Sequence, residues 1–174
     1  MIILDIETTG LDPKTDFILE IAAIDTLNHR VFNKRAYAPH NNAVNINRIE
    51  EEDMGRLTED ELLERFNNWL GIECTIGGWN TKFDAEFLYE RSVIRTVRNN
   101  YRNYKYTDVK KELLKTPIVG NLAKCYETIF NIRVRANHSA IVDTELTCHI
   151  YDWYRKTHAP MERYTFDNLK NHYR

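Results

Sequence analysis

Short apolar runs of strand character open the chain, and apolar positions at helical spacing take over further along. Ile2-Ile3-Leu4 is a continuous apolar run, the pattern of a strand buried on both faces. Residues 17–25 read as a second strand, and Asn28-His29 as the turn into a third at residues 31–37. Together they predict an antiparallel meander with the first strand central in the sheet. The polar stretches 11–16 and 39–47 read as loops.

After residue 57 the period changes. Thr58-x-x-Glu61 is a capping-box pattern ahead of Leu62, Leu63, Phe66, Trp69 and Leu70, and Gly71 ends that helix. Residues 74–79 read as a short strand, and Asn80-Thr81 starts a helix whose apolar face is Phe83, Phe87, Leu88 and Ile94. A strand at 101–107 follows, with Asp108 capping the next helix. Asn121 opens a helix to Phe130, a long helix covers about 139–156, and Pro160 opens a last short one. Strands first, then strands alternating with helices, predict an α/β fold: a mixed sheet flanked by helices. The 174 residues show no repeat, low-complexity tract or linker and fit a single domain. Its core spans about 1–158, with the short helix at 160–174.

Composition narrows the class. A hydrophobic content of 43% and a charged content of 29% are those of a soluble globular protein. Cys74, Cys125 and Cys148 are scattered and form no C-x-x-C pair, which suggests neither a disulfide framework nor a zinc site and points to a reducing compartment. No secretory leader pattern and no long apolar span occurs, so the expectation is a cytoplasmic protein without a membrane segment.

The chemistry sits in acids. Asp5 and Glu7 are two apart at the end of the first strand, so they share a face. Neighbouring carboxylates raise each other's pKa unless a cation joins them, and Mg²⁺ favours such an oxygen cluster. Two solvated acids before a turn would look the same. Asp84 and Asp143 each lie near a helix start, where an acid also complements the helix dipole. His138 stands just ahead of the second of these helices.

Taken together these residues resemble the DEDD superfamily of 3′→5′ exonucleases. The branch is the histidine-bearing, DnaQ-like one that includes epsilon-type proofreading exonucleases and ribonuclease T. D-x-E-T-T-G is present as Asp5 to Gly10, the second motif as Asn80 with Phe83-Asp84, and H-x-A-x-x-D as His138, Ala140 and Asp143. Trp79 stands where the family often has histidine, and Asn47-Arg48-Ile49 where many members read His-Gly-Ile.

The resemblance implies a ribonuclease-H-like fold and two divalent ions, Mg²⁺ with Mn²⁺ able to substitute. Asp5 would bridge the ions, Glu7 and Asp143 complete one site, Asp84 assist through water, and His138 act as general base. The substrate would be the 3′ end of single-stranded DNA, or RNA, cleaved to nucleoside 5′-monophosphates. Thr8 would meet the terminal sugar and Leu11 wedge the last bases. Asn80 belongs to the second motif, and Phe83 would line the pocket or stack on a base; core packing is the other reading of Leu11 and Phe83. A free-standing nuclease is the expectation. A proofreading subunit partnered by a polymerase, or a non-catalytic nucleic-acid-binding module with a relic site, are the alternatives.

Net charge is −2, so any basic surface must be local. Arg91, Arg95, Arg98, Arg102, Lys105, Lys110, Lys111 and Lys115, interleaved with Tyr101, Tyr104 and Tyr106, read either as a track for a single strand or as a solvated face. The acid-rich segment 50–64 is expected to face away from a polyanionic substrate.

Overall fold

The computed structural model describes residues 1–71, 74–134 and 138–171. In chain order it forms β1 (Ile2–Thr8), β2 (Ile18–Asp25), β3 (Val31–Arg35), α1 (Val44–Asn47), α2 (Glu59–Leu70), β4 (Thr75–Gly78) and α3 (Thr81–Ile94). These are followed by β5 (Lys105–Asp108), α4 (Val109–Leu113), α5 (Leu122–Phe130), α6 (Ala140–Thr157), β6 (Tyr164–Thr165) and α7 (Phe166–Asn171). The sheet order is β3-β2-β1-β4-β5-β6, antiparallel at β1–β2 and parallel at β1–β4. This is the mixed, helix-flanked ribonuclease-H-like sheet, with β1 inside it.

Side chains alternate along β1, and the alternation assigns its two faces. Ile2, Leu4 and Ile6 pack with Phe66 of α2 and with Phe87 and Leu88 of α3. Ile3 packs on the opposite side with Leu122 of α5 and with Leu146 and Ile150 of α6. Asp5 and Glu7, in step with Ile3, therefore emerge on the α6 face. Ala22 lies opposite Asp5 on β2, and its small side chain lets α6 approach; the Thr144 hydroxyl donates to the Ala22 carbonyl at 3.4 Å.

β4 pairs with β1 only through Ile2–Ile76 and Ile3–Gly77, so β1 runs on past the end of its neighbour. There the chain turns into α3. A Cβ on Gly78 would lie 2.8 Å from the Leu4 carbonyl oxygen, so glycine permits the close approach. The start of α3 is pinned to β5: the Thr81 N–H donates to Asp108 Oδ2 at 3.1 Å, and its hydroxyl to the Thr107 carbonyl at 2.7 Å. Asp108 also caps α4 through the Lys111 N–H, as its position in the sequence predicts.

Several expectations need correction. β3 stops at Arg35, because Ala36 bridges Leu57 and the Tyr37 N–H donates to the Leu57 carbonyl. The polar loop at 39–47 contains α1, and the strand predicted at 101–107 begins as a 3₁₀ turn before pairing from Lys105. Pro160 starts no helix. Tyr164 and Thr165 pair with β5, and the Asn168 N–H bonds the Thr165 hydroxyl, so the last helix begins at Phe166.

The basic stretch is split between surface and core: Arg98, Arg102, Lys105, Lys110 and Lys115 are exposed, but the tyrosines among them are not. Tyr101 and Tyr106 are fully buried (0% exposed) and Tyr104 nearly so, because these rings fill the core beside β5. Arg91 is buried too, since it serves Glu59. That acid, 3% exposed, accepts from the Ile18 N–H (2.9 Å), from Arg91 Nε (2.8 Å) and Nη2 (2.6 Å), and from Arg95 Nε (2.7 Å). Arg91 Nη1 also donates to the Lys14 carbonyl at 3.3 Å, and the guanidinium lies over the Phe17 ring. Glu59 thus departs from its acid-rich segment, whose other seven acids are exposed, and anchors the 10–16 loop that carries Leu11.

Removing one partner of a buried ion pair leaves an uncompensated charge. Glu59→Ala is expected to cost about 3–5 kcal/mol, read by urea denaturation. Arg95→Ala, which removes a partly exposed partner, should cost clearly less. Equal costs would contradict the ranking of the two arginines.

Candidate active site

Asp5 and Glu7 come from the end of β1, and Asp143 from the first turn of α6 lying across it. One carboxylate oxygen from each falls within 4.8 Å of the others, the one such group among the described residues. Asp84 stands beside this trio. It is 3% exposed, and its Oδ1 accepts the Ile6 N–H at 3.1 Å. That N–H lies on the length of β1 that β4 leaves unpaired, so a side chain from α3 takes the place of a strand.

A β-bulge at Glu7/Thr8 shifts the pairing from Glu7–Glu20 to Thr8–Ile18, a device that re-aims side chains next to sites. The turn that follows is closed tightly. The Thr8 hydroxyl donates to the Gly10 carbonyl (2.6 Å), the Phe17 N–H to the Thr9 hydroxyl (3.0 Å), and the Asp12 N–H to Asp16 Oδ2 (2.9 Å). A Cβ on Gly10 would sit 2.4 Å from Asp16 Oδ2, which explains the glycine of this motif. Buried Asn47 donates to the Thr8 carbonyl at 2.9 Å.

The acids repel one another. Burial first, then the charges of Asp84, Glu7, Asp143 and Glu20, hold Asp5 well above the ordinary carboxyl range. Burial, then Asp143 and Glu20, push Glu7 up to about 8; burial foremost holds Asp84 at about 8, although the Ile6 N–H opposes it. Asp143 is raised by burial and drawn down by His138. The sequence reading missed Glu20 and Arg35. Only the register reveals them, because Arg35, Glu20 and Glu7 fall in one row across β3, β2 and β1. Arg35 Nη2 pairs with Glu20 Oε2 at 3.2 Å, and its charge pulls Glu7 downward.

The remaining predicted residues surround the trio in sequence and fold. His138 is exposed, sits directly before α6 and has a left-handed backbone (φ 47°). Leu11 is 81% exposed and belongs to no core cluster. Phe83 is half-buried, its ring 4.8 Å from that of Phe87, so it packs on the core while keeping one side open. Asn80 is exposed at the start of α3, and its side chain does not cap the helix. Three converging carboxylates with no nitrogen or sulfur donor suit a hard divalent cation. Their raised pKa values show how much an ion would relieve.

A family description of exonucleases of the RNase T type matches residues 2–151. The chain belongs to the RNase T exonuclease family. Relatives include PolC-type DNA polymerase III of Staphylococcus epidermidis and of Staphylococcus aureus, each 26% identical over 174 residues. The match takes in 86% of this chain but 11% of each of those proteins, so the chain spans about a tenth of their length. Among solved structures, the zinc-bound complex of Escherichia coli ExoI with single-stranded DNA superposes with a TM-score of 0.71 at 19% identity, over 89% of this chain and 40% of that one. The nuclease domain of 3′hExo, a DEDDh family member bound to rAMP, gives 0.72 at 14% identity, over 94% of both chains. Both likenesses concern the fold, and the RNase T domain described here shares it.

A proton-binding site of this kind shows in stability. Glu7 in the fold holds its proton up to about pH 8, whereas an ordinary glutamate releases it near 4.5. Between those values the native state binds more protons than the unfolded chain, so metal-free stability falls as pH rises. Bound Mg²⁺ favours the ionised carboxylates and offsets that loss. The gain in Tm from saturating Mg²⁺ is therefore expected to grow from about pH 5 to about pH 8; a gain independent of pH would contradict metal binding at this cluster.

Proposed function

We propose that this single RNase T domain is a divalent-metal-dependent 3′→5′ exonuclease. It removes nucleoside 5′-monophosphates from the 3′ ends of single-stranded nucleic acid, DNA in preference and RNA as well. The convergence of Asp5, Glu7 and Asp143, with Asp84 beside them and His138 at the head of α6, carries this reading. Two ions, Mg²⁺ with Mn²⁺ able to substitute, would neutralise charge on the phosphoryl oxygens and make water a nucleophile near neutral pH.

The chain's own residues do the rest. Asp5, Glu7 and Asp143 would hold the ions, and Asp84, which accepts the Ile6 N–H, would assist through water. His138 takes the proton of the attacking water on a ring nitrogen. A residue inside α6 five positions before Asp143 would point well away from it, and the left-handed turn ahead of the helix avoids that constraint. The Thr8 turn, fixed by Asn47 and Asp16, meets the terminal sugar. Exposed Leu11 wedges the last base step, while Asn80 and the open side of Phe83 line the base pocket, where stacking tolerates any base.

That the same fold holds single-stranded DNA in ExoI and rAMP in 3′hExo supports a substrate range open to both sugars. The PolC-type relatives favour a second reading, a proofreading exonuclease that works beside a polymerase. A preference for mismatched over matched primer ends separates the two. No helix among the described residues is long and apolar enough to cross a membrane, and the substrate reading needs none.

Asp5→Ala and Asp143→Ala are expected to nearly abolish nucleotide release from end-labelled oligomers while the protein stays folded, since each relieves repulsion. His138→Ala should lose roughly 10²–10⁴ in kcat yet keep Mg²⁺ affinity by calorimetry. Loss of metal binding in step with turnover would make the histidine a ligand or a prop instead of a base. Wild-type protein that binds oligomers but releases no nucleotide with Mg²⁺ or Mn²⁺ would leave only the relic binding module.

A further inference from the structure

We propose that Arg48 binds a backbone phosphate of the nucleic-acid strand entering the cleft, an inference that rests on the exonuclease reading above. Arg48 ends α1 in the left-handed conformation, at φ 57° and ψ 26°. A Cβ makes that conformation unfavourable, and glycine adopts it freely. Five non-glycine residues among those described have positive φ. His29, Asn131 and His138 are of types that tolerate it best, and Thr96 follows the far end of α3. Arg48 has no such excuse in its side chain, and it lies next to the site.

Its surroundings hold it there. Asn47 donates to the Thr8 carbonyl at 2.9 Å, one residue beyond Glu7, and accepts from the Ile49 N–H at 3.1 Å. Those two bonds, made on either side of Arg48, fix its backbone against the turn that follows the carboxylates. Asn41 adds a third, donating to Asn47 Oδ1 at 2.9 Å. The Arg48 side chain is exposed. Glu50, Glu51, Glu52 and Asp53 follow immediately, yet Arg48 enters none of the ion pairs among the described residues, whereas Arg35, Arg91 and Arg95 all do.

A cation held in a strained backbone, rigidly coupled to Thr8 and unpaired despite four acids close in sequence, is suited to an anion from outside. A polyanion whose end must reach Glu7 supplies one. Strain of this kind persists where the surrounding structure enforces it, as at ligand clamps. The guanidinium would also supply positive charge to a face whose acids otherwise repel the substrate.

The test compares Arg48→Gly, Arg48→Ala and Arg48→Lys. Binding of a fluorescein-labelled oligothymidylate is measured with Ca²⁺ in place of Mg²⁺, and turnover with Mg²⁺. Arg48→Gly is expected to raise Tm while weakening binding and raising KM roughly tenfold, with kcat little changed. Its log Kd against log salt should flatten by about 0.7, one phosphate contact on a single strand. Arg48→Ala should lose binding equally without the gain in Tm, and Arg48→Lys should keep the wild-type salt slope. Unchanged affinity and salt slope in both Arg48→Gly and Arg48→Ala would overturn the proposal. Failure of the exonuclease reading would appear separately, as wild-type protein that binds the oligomer and releases no nucleotide.

Discussion

The hydrogen bond from the Ile6 N–H to Asp84 joins the parts on which the site depends. β1 outruns β4, which leaves backbone donors on a buried strand without a partner, and such groups are costly unless satisfied. Asp84 satisfies one of them from the first turns of α3. The need to pair a strand edge thereby fixes where α3 begins and brings a fourth carboxylate beside Asp5. Gly78 at the turn, with Thr81 and Asp108 beneath it, exists to let that helix start so close.

Electrostatics runs against stability at the same place. Asp5, Glu7, Asp84 and Asp143 are held together by packing while their charges oppose one another, and burial compounds the effect. The fold tolerates this because the restraints come from elsewhere: β1 is clamped between two strands, α6 lies on Ala22, and Arg35 offsets Glu20 in the neighbouring row. A site strained in this sense is preorganised for cations, since the ion gains what the apo protein lacks. The same logic holds for the loop after β1, where Glu59 and Arg91 spend a buried ion pair on holding a segment with an exposed leucine at its tip.

The sequence by itself displayed most of the local elements and pointed to the acids, three of which the fold brings together. Ile2 to Leu4, the Thr58–Glu61 capping box and the Asp108 and Asn121 caps are short-range signals, and each appears in the structure where its residues stand. Asp5 and Glu7 shared a face by strand period alone, and motif order added Asp84, His138 and Asp143. Tertiary structure decided what depends on partners far along the chain. Arg91, Tyr101, Tyr104 and Tyr106 look like part of a binding surface in a linear string, yet they are buried because Glu59 lies across from the arginine and the β5 core encloses the rings. Glu20 and Arg35 became neighbours of Glu7 only through strand register, and Pro160 lost its helix to an extended pair with β5. Periodicity and capping are set within a few residues, so a sequence displays them; burial and charge pairing are set by which distant segments meet, and only the folded chain brings those together.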